Sequence, residues 1–264
     1  MKAYILDLGA IWNDRNLNVA LSTLGTPADK NPPAVWHSVP VQAILIQHPT
    51  DGWILFDTGM PSDAATRWPK NIMSMLELKF TPEQNMEHQL SLVGIKPSDI
   101  KTVIISHMHM DHIGNISLFK DTANFYVSRA EAKHAFLNVL ATPDPAQHGF
   151  YSKEEVLSTL KSLTYLDEDT ELFDGLELIM LPGHTPGVMG LVMHLENGTV
   201  IYTSDACYMQ ANYEGSPPGI LEDSASWHKS LEKIKKLQKK YKASLWFGHD
   251  QGQFETLKKA PNFY

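Results

Sequence analysis

The segment that decides the fold reads SHMHMDH and occupies residues 106 to 112. It places three imidazoles and a carboxylate within six residues, at His107, His109, Asp111 and His112. Alternate side chains of an extended segment share a face, so His107 and His109 are predicted to point at one site. Asp111 and His112 follow where the chain turns and can reach a second, nearby point. Nitrogen and oxygen donors in this density suit Zn²⁺, Fe²⁺ or Mn²⁺ better than Ca²⁺ or Mg²⁺, and they disfavour a chance cluster on a solvated loop.

Further candidate ligands stand at or just beyond the ends of apolar runs. The runs are LIMLPGHTPG (178 to 187) with His184, VIYTSD (200 to 205) with Asp205, and SLWFGHD (244 to 250) with His249. Each run is typical of a buried strand, and sheet proteins place functional side chains in the loops that follow strands. A single histidine of this kind is usually a surface residue. Because all these segments share one pattern with the histidine motif, we interpret them as parts of one site.

These segments together resemble the metallo-β-lactamase superfamily, whose signature is His-x-His-x-Asp-His followed by a distant His, Asp and His. The resemblance extends from ILFDTG (54 to 59) to FGHD (247 to 250) and implies a dinuclear metal centre. The implied ligands are His107, His109 and His184 for the first metal, Asp111, His112 and His249 for the second, and Asp205 as the bridge. Zinc is the expected metal, and iron, cobalt or manganese fit the same donors.

The order of apolar runs favours the same architecture. Strands are predicted at 41–48, 53–57, 102–106, 124–127, 176–182, 188–195, 199–204 and 244–248, and helices at 81–93, 128–140 and 224–241. The first two strands flank the turn sequence PTDG and predict a hairpin. Two mixed sheets packed face to face with helices outside account for this order, which is an α/β, four-layer αββα sandwich. We expect a single domain over residues 1–264.

Composition narrows the choice of partners. The chain has 22 basic and 30 acidic residues, for a net charge of −8, which disfavours nucleic acid. The lysine-rich run 229–242 has apolar residues at helical spacing, so its lysines are predicted to be a solvated helix face. The lone cysteine, Cys207, fits a reducing compartment and is expected to be a packed small residue. No run is long enough to cross a bilayer, so we expect a cytoplasmic protein without membrane insertion, and a homodimer is compatible with the sequence.

The segment from Asp205 to Tyr208 points to the substrate. Within the superfamily the chain is similar to the N-acyl-homoserine lactonases, which carry a tyrosine three residues after the bridging aspartate and also share DTGMP (57 to 61). The resemblance implies that a metal-bridging hydroxide attacks the lactone carbonyl of a small-molecule substrate. It also implies that Tyr208 stabilises the oxyanion and that Asp111 passes a proton to the ring oxygen. The alternative for Tyr208 is an aromatic side chain packed against the sheet edge.

Several alternatives remain open at this point. A pyridoxine-derived lactone, a thioester or a β-lactam could be the substrate, and a non-catalytic metal-binding scaffold is the alternative outside the enzymes. Asp57 either orients a ligand histidine or caps the turn at Thr58 and Gly59. Met110 replaces the aromatic residue that these lactonases often carry. The side chains that could line an acyl-chain pocket, or belong to the core or a lid, are Trp12, Trp36, Trp68, Met73, Met75, Met86 and Tyr213.

Overall fold

The computed structural model describes residues 1 to 264. Its strands are β1 (Lys2–Asp14), β2 (Trp36–His48), β3 (Gly52–Phe56), β4 (Glu77–Lys79), β5 (Thr102–Ile104), β6 (Asn124–Ser128), β7 (Leu163–Leu166), β8 (Thr170–Phe173), β9 (Leu176–Met180), β10 (Met189–Leu195), β11 (Gly198–Tyr202) and β12 (Ser244–Trp246). Its α-helices are α1 (Ala64–Arg67), α2 (Lys70–Met73), α3 (Met86–Ser91), α4 (Arg129–Ala141), α5 (Lys153–Ser158), α6 (Gln210–Tyr213), α7 (Ser224–Tyr241) and α8 (Gln251–Thr256).

The strands form two mixed sheets. The larger sheet has seven strands in the order β4-β1-β2-β3-β5-β6-β7, and the smaller has five in the order β12-β11-β10-β9-β8. In the larger sheet β3, β5, β6 and β7 run parallel, whereas β1, β2, β3 and β4 pair antiparallel. In the smaller sheet β11 and β12 are parallel and the other pairs antiparallel. The predicted hairpin is confirmed as β2–β3, in which His48 pairs with Gly52.

Side-chain alternation on β2 explains how the layers assemble. Val41 and Leu45 belong to the apolar cluster between the larger sheet and helices α1–α5. Ile44 and Ile46 belong to the cluster between the two sheets. A strand buried on both faces reads as a nearly continuous apolar run, and a one-residue slip would exchange the two faces. Helix α7 covers the outer face of the smaller sheet, with Trp227 at its centre. The expected αββα sandwich is confirmed.

One predicted helix, over residues 81–93, was too long. The structure has a 3₁₀ turn at Pro82–Gln84, and α3 begins only at Met86. Asn85 separates the two because its backbone is extended and its side chain accepts a hydrogen bond from the N–H of His88. This is the capping role that asparagine prefers over a place inside a helix.

The other two predicted helices agree with the structure within one or two residues. Ser128 caps α4 by accepting a hydrogen bond from the N–H of Glu131, and α7 spans residues 224–241 as predicted. None of the helices combines the length and the apolar character needed to cross a bilayer.

Candidate active site

The histidine motif continues from the carboxyl end of β5. Ile105 still follows β6, since its N–H donates to the carbonyl of Tyr126 at 2.8 Å. Met108 packs in the core between the larger sheet and its helices. His107 and His109, on either side of it, approach each other, with 3.2 Å between His107 Nε2 and His109 Nδ1. The expectation that these two side chains share a face agrees with this geometry.

The remaining candidate ligands follow strands of the smaller sheet. His184 lies beyond β9, Asp205 beyond β11 and His249 beyond β12, and all three are buried. The structure brings the seven candidates into three overlapping groups, in each of which the potential ligand atoms lie within 4.8 Å of one another. The groups are His107, His109 and His184; His107, His112 and Asp205; and Asp111, His112 and His249.

Asp205 stands between the two ends of this cluster. Its Oδ2 lies 3.4 Å from His184 Nε2 and 3.7 Å from His107 Nε2. Its Oδ1 lies 3.1 Å from His249 Nε2 and 3.4 Å from His112 Nε2. One carboxylate oxygen therefore faces each end, an arrangement that would let this group join two cations.

Asp111 lies at the second end only. Its Oδ2 is 3.6 Å from His112 Nε2 and 3.9 Å from His249 Nε2. Its side chain is 19% exposed, against 3% for Asp205, so Asp111 is the more accessible of the two carboxylates.

Backbone carbonyls from distant segments orient two of the histidines. His184 Nδ1 donates to the carbonyl of Ile220 at 2.9 Å, and His249 Nδ1 donates to the carbonyl of Pro40 at 2.7 Å. A ring whose Nδ1 carries the proton presents an unprotonated Nε2, which is the atom that faces Asp205.

Asp57 orients the histidines at the other side of the cluster. His112 Nδ1 donates to Asp57 Oδ2 at 2.9 Å. Ser106 Oγ donates to the same oxygen at 2.7 Å, so its own lone pairs accept from His107 Nδ1 at 3.0 Å. The carboxylate therefore binds a candidate ligand, and of the two interpretations of Asp57 the structure supports the orienting one.

Atoms of the cluster lack partners within the protein. His112 Nε2 and Asp205 Oδ1 are buried and form no hydrogen bond, although buried polar groups are nearly always paired. The ring nitrogens of His109 and His184 are 3.0 Å apart, and those of His107 and His109 are 3.2 Å apart. Tetrahedral coordination with metal–nitrogen bonds of about 2.0–2.1 Å places ligand nitrogens about 3.3 Å apart. The donor set therefore fits a centre of two divalent cations.

Burial and neighbouring charge act in opposite directions on the pKa values of the cluster. Burial alone would raise the pKa of Asp205, but the surrounding imidazoles, with His112 foremost, hold it well below its usual value. Burial alone would lower the pKa of His112, but the nearby carboxylates, with Asp205 foremost, raise it well above its usual value. Proton release from His112 is therefore expected to accompany metal binding.

A family model described as the metallo-beta-lactamase superfamily matches residues 38–245, a range that includes six of the seven clustered side chains. The chain belongs to the metallo-beta-lactamase superfamily. The seventh side chain, His249, lies four residues beyond the matched range, in the loop that follows β12. The resemblance inferred from the histidine motif is thus confirmed at the level of the family and of the fold.

Relatives of this superfamily member include N-acyl homoserine lactonases. It is 31% identical over 277 residues to AiiB of Agrobacterium fabrum, across 100% of this chain and 99% of the relative. It is 33% identical over 231 residues to an N-acyl homoserine lactonase of a Bacillus species, across 85% and 87% of the two chains. A solved N-acyl homoserine lactone hydrolase, with its product N-hexanoyl-L-homoserine at the catalytic metal center, aligns with a TM-score of 0.84, 28% identity and coverage of 100% and 98%.

A cavity opens beside the metallo-β-lactamase cluster. It is lined by 16 residues, 10 of them hydrophobic. Small-molecule sites are lined mostly by apolar side chains with a few polar groups, so this lining suits a small ligand with an apolar part. The hydrophobic residues are Ile11, Leu17, Val39, Trp68, Ile72, Leu76, Met110, Phe150, Tyr208 and Ile220, and the polar residues are Asn13, Asn18, His109, Asp111, Asp205 and His249.

Tyr208 lines this cavity next to both ends of the cluster. Its ring centroid lies 5.4 Å from the ring of His184 and 5.4 Å from that of His249, and its hydroxyl is 3.1 Å from His184 Nδ1. Burial raises the pKa of Tyr208 well above its usual value, and the carboxylates of Asp205 and Asp111 add to the effect. The phenol therefore keeps its proton and is available as a hydrogen-bond donor.

A buried network around Glu131 supports the loops of this metallo-β-lactamase site. Glu131 Oε1 accepts from the N–H of Met108 at 2.8 Å and from the hydroxyl of Tyr151 at 3.1 Å. Glu131 Oε2 accepts from the hydroxyl of Thr185, beside His184. One carboxylate thus joins the loop that carries the histidine motif to the turn that carries His184. The sequence carries no signal for this role of Glu131, since glutamate side chains are seldom fully buried.

A glycine allows the His184 turn to pack closely. Gly183 has a φ of +148°, and a Cβ there would lie 2.5–2.8 Å from atoms of Trp227, two of them backbone atoms. Close contact with the first turn of α7 therefore fixes where His184 sits.

The seven aromatic and methionine side chains singled out in the sequence occupy different places. Trp68 lines the cavity. Trp36 and Met75 are exposed, at 47% and 38%, and Met86 is in the core. Tyr213 packs against the cluster beneath α7. The wall instead depends on residues such as Ile11 and Asn13, which share one face of β1 and which no sequence motif marks.

Proposed function

We propose that this protein opens the lactone ring of N-acyl homoserine lactones, as its relatives' names state for them. The observation that carries the proposal is the position of the Tyr208 hydroxyl, beside a dinuclear cluster and at the wall of a largely apolar cavity. A polar head that reacts at the cluster and an apolar acyl chain that enters the cavity match this arrangement. The sequence identity of 31–33% to N-acyl homoserine lactonases over most of the chain supports the same reaction.

We assign the cluster residues as metal ligands in two sets. His107, His109 and His184 would hold the first cation, Asp111, His112 and His249 would hold the second, and Asp205 would join the two. When bound, the pair of cations supplies Lewis acidity and a water whose pKa is lowered to near 7. Imidazole and carboxylate donors suit zinc, which is the metal we propose.

Tyr208 and Asp111 perform the steps that the protein itself contributes. The Tyr208 hydroxyl donates a hydrogen bond to the lactone carbonyl oxygen and strengthens it as negative charge develops there. Asp111, the more accessible carboxylate, accepts the proton that the water releases as it adds to the carbonyl carbon and delivers it to the ring oxygen when the carbon–oxygen bond breaks. Water adds to the carbonyl carbon overall, and the product is the open hydroxy acid.

We also propose a cytoplasmic location. The single cysteine, Cys207, is buried and free, and burial raises its pKa to about 12, so it is an unreactive thiol in a chain without disulfides. Oxidising compartments favour proteins stabilised by disulfides, and a single buried thiol cannot form one within the chain.

The proposal is tested by incubating metal-loaded protein with acyl-homoserine lactones of different chain lengths and following proton release. We expect turnover that depends on metal and on chain length. A β-lactam and a thioester serve as comparison substrates. Turnover of either one without any opening of a lactone would overturn the proposal.

Tyr208→Phe tests the role of the hydroxyl. We expect kcat for lactone opening to fall by about 100-fold with unchanged metal content, because one oxyanion donor is lost. The matched control is Tyr213→Phe, which removes a tyrosine hydroxyl that bonds to Gln238 outside the cavity. Equal rates in Tyr208→Phe and the wild type would remove Tyr208 from the reaction.

A further inference from the structure

The polar residues of the cavity wall differ in whether the metal cluster or a hydrogen bond within the protein accounts for them. Four of the six belong to the metal cluster, namely His109, Asp111, Asp205 and His249. Asn18 Oδ1 accepts from His37 Nε2 at 2.9 Å. Asn13 is 4% exposed, and its Oδ1 is buried without any hydrogen-bond partner. Neither the cluster nor the packing of the fold accounts for this acceptor.

A second residue of the cavity wall also carries a buried polar atom without a hydrogen-bond partner. Trp68, which follows α1, is 4% exposed, and its indole Nε1 is buried without an acceptor. Two wall residues therefore each carry a buried polar atom without a partner in the protein: an acceptor on Asn13 of β1 and a donor on Trp68 after α1. Buried groups of this kind are uncommon in native proteins, and each one in a ligand cavity is a candidate for pairing with the ligand.

We infer that Asn13 and Trp68 recognise the secondary amide that links the acyl chain to the lactone ring, an inference that rests on the proposed function. A secondary amide has one N–H donor and one carbonyl acceptor, the complement of what the wall offers. Asn13 Oδ1 accepts from the amide N–H, and Trp68 Nε1–H donates to the amide carbonyl. The two residues are thus specificity-determining, and they select N-acylated lactones over lactones with a plain alkyl substituent.

The selection is strong because a lactone without the amide leaves Asn13 Oδ1 and Trp68 Nε1 unpaired. An alkyl-substituted lactone of equal length fills the apolar cavity but leaves both atoms without partners in the complex. Sites built to hydrogen-bond a substrate group discriminate strongly against the analogue that lacks it, whereas apolar contacts discriminate weakly. Changes in acyl-chain length, which affect only apolar contacts, should therefore alter turnover less than loss of the amide group.

The test compares two lactones of matched length, one N-hexanoylated and one in which methylenes replace the amide group. For the wild type we expect kcat/KM to favour the amide by at least about 100-fold. Asn13→Leu and Trp68→Phe should each reduce this ratio by about tenfold, mainly through KM, since each removes one hydrogen bond. Trp53→Phe is the matched control, because Trp53 lies outside the cavity wall and packs against Tyr4. We expect this control to keep the wild-type ratio.

The outcomes separate this inference from the proposed function. No opening of any lactone by the metal-loaded wild type would reject the function itself. Equal kcat/KM for the two lactones, or an unchanged ratio in both variants, would overturn the inference and leave the function standing. Stability supplies a second readout: Asn13→Leu should melt no lower than the wild type, because the lost oxygen has no partner in the protein. A Tm lower by more than about 4 °C would indicate a structural role and would also overturn the inference.

Discussion

Two buried carboxylates near the histidine motif differ in their surroundings. Glu131 accepts hydrogen bonds from the N–H of Met108 and from the hydroxyls of Tyr151 and Thr185. Asp205 faces ring nitrogens at both ends of a cluster, and its Oδ1 has no hydrogen-bond partner. Burial raises the pKa of Glu131, whereas neighbouring imidazoles lower that of Asp205. The first carboxylate is satisfied by the protein, and the second is arranged for groups that the chain does not supply.

The comparison distinguishes a carboxylate that stabilises the loops, Glu131, from one that is placed to bind cations, Asp205. A satisfied buried network rigidifies the segments that it joins, while a partly satisfied one is costly unless a ligand completes it. The Glu131 network fixes the loops that carry His107, His109 and His184. Those loops then present their nitrogens at metal-binding distances from one another. Substitutions in the two regions should therefore separate stability from metal content.

The largest effect is expected for Asp205→Ala. The variant loses the carboxylate that faces both ends, so the protein should retain less than the full pair of metals and lose at least about 1,000-fold in lactone turnover. Elemental analysis of the purified protein and a rate assay measure the two quantities. Full retention of both metals would contradict the bridging assignment.

Glu131→Ala should primarily affect folding. It leaves three donors without an acceptor, so we expect the free energy of unfolding to fall by about 3 kcal/mol, measured by urea denaturation. Metal content at saturating metal should remain complete. Glu131→Gln is the control, because its amide oxygen can still accept from Met108 and Tyr151 and should recover part of the loss. A stable Glu131→Ala variant that lacks metal would reverse the distinction between the two carboxylates.

A smaller effect is expected for Asp57→Asn. Like Glu131, Asp57 accepts hydrogen bonds within the protein, but one of its partners is the candidate ligand His112. Asp57 orients His112 and has a φ of +62°, a conformation that asparagine also tolerates. Metal affinity should fall by about 10–100-fold, measured by competition with a chelator. Asp63→Asn, at an exposed ion pair with Arg67, is the control and should keep the wild-type affinity. Unchanged affinity in Asp57→Asn would show that His112 needs no orienting carboxylate.

The smallest effect concerns a third buried carboxylate, Glu155. Burial raises its pKa to about 7, although it pairs with Arg67, and its Oε2 has no partner. A raised folded-state pKa adds stability below the unfolded value near 4.5 that is lost as pH rises through about 7. Between pH 5 and pH 8 the wild type should therefore lose on the order of 1 kcal/mol, or about 2–4 °C in Tm, relative to Glu155→Gln. Parallel Tm profiles of the two proteins would show that Glu155 does not titrate in this window.

Sequence patterns predicted the parts of the molecule in which local chemistry and local structure agree. The histidine motif and the runs that precede His184, Asp205 and His249 are unusual enough to indicate a site without any contact information. The long amphipathic pattern of α7 likewise predicts its bounds, since the apolar face repeats over several turns.

Other parts depend on contacts that sequence order does not display. Strand β1 was not predicted, because Gly9 with a φ of +93° and a register shift between Asp7 and Ala10 interrupt its pattern. The short strands β4, β7 and β8 carry too few residues for a periodicity to emerge. Asn13 is an ordinary polar residue in the sequence, and its role depends on the cavity that the segments after β1 and around α1 close over it.

The hydrogen bond from His249 to the carbonyl of Pro40 joins residues 209 positions apart. A nascent or refolding chain must bring its two ends together before that imidazole is aimed correctly. Uptake of the second cation, whose proposed ligands include His249, should then come late in assembly, because contacts of such long range form slowly. Folding intermediates that lack this contact are therefore expected to bind fewer cations than the native protein.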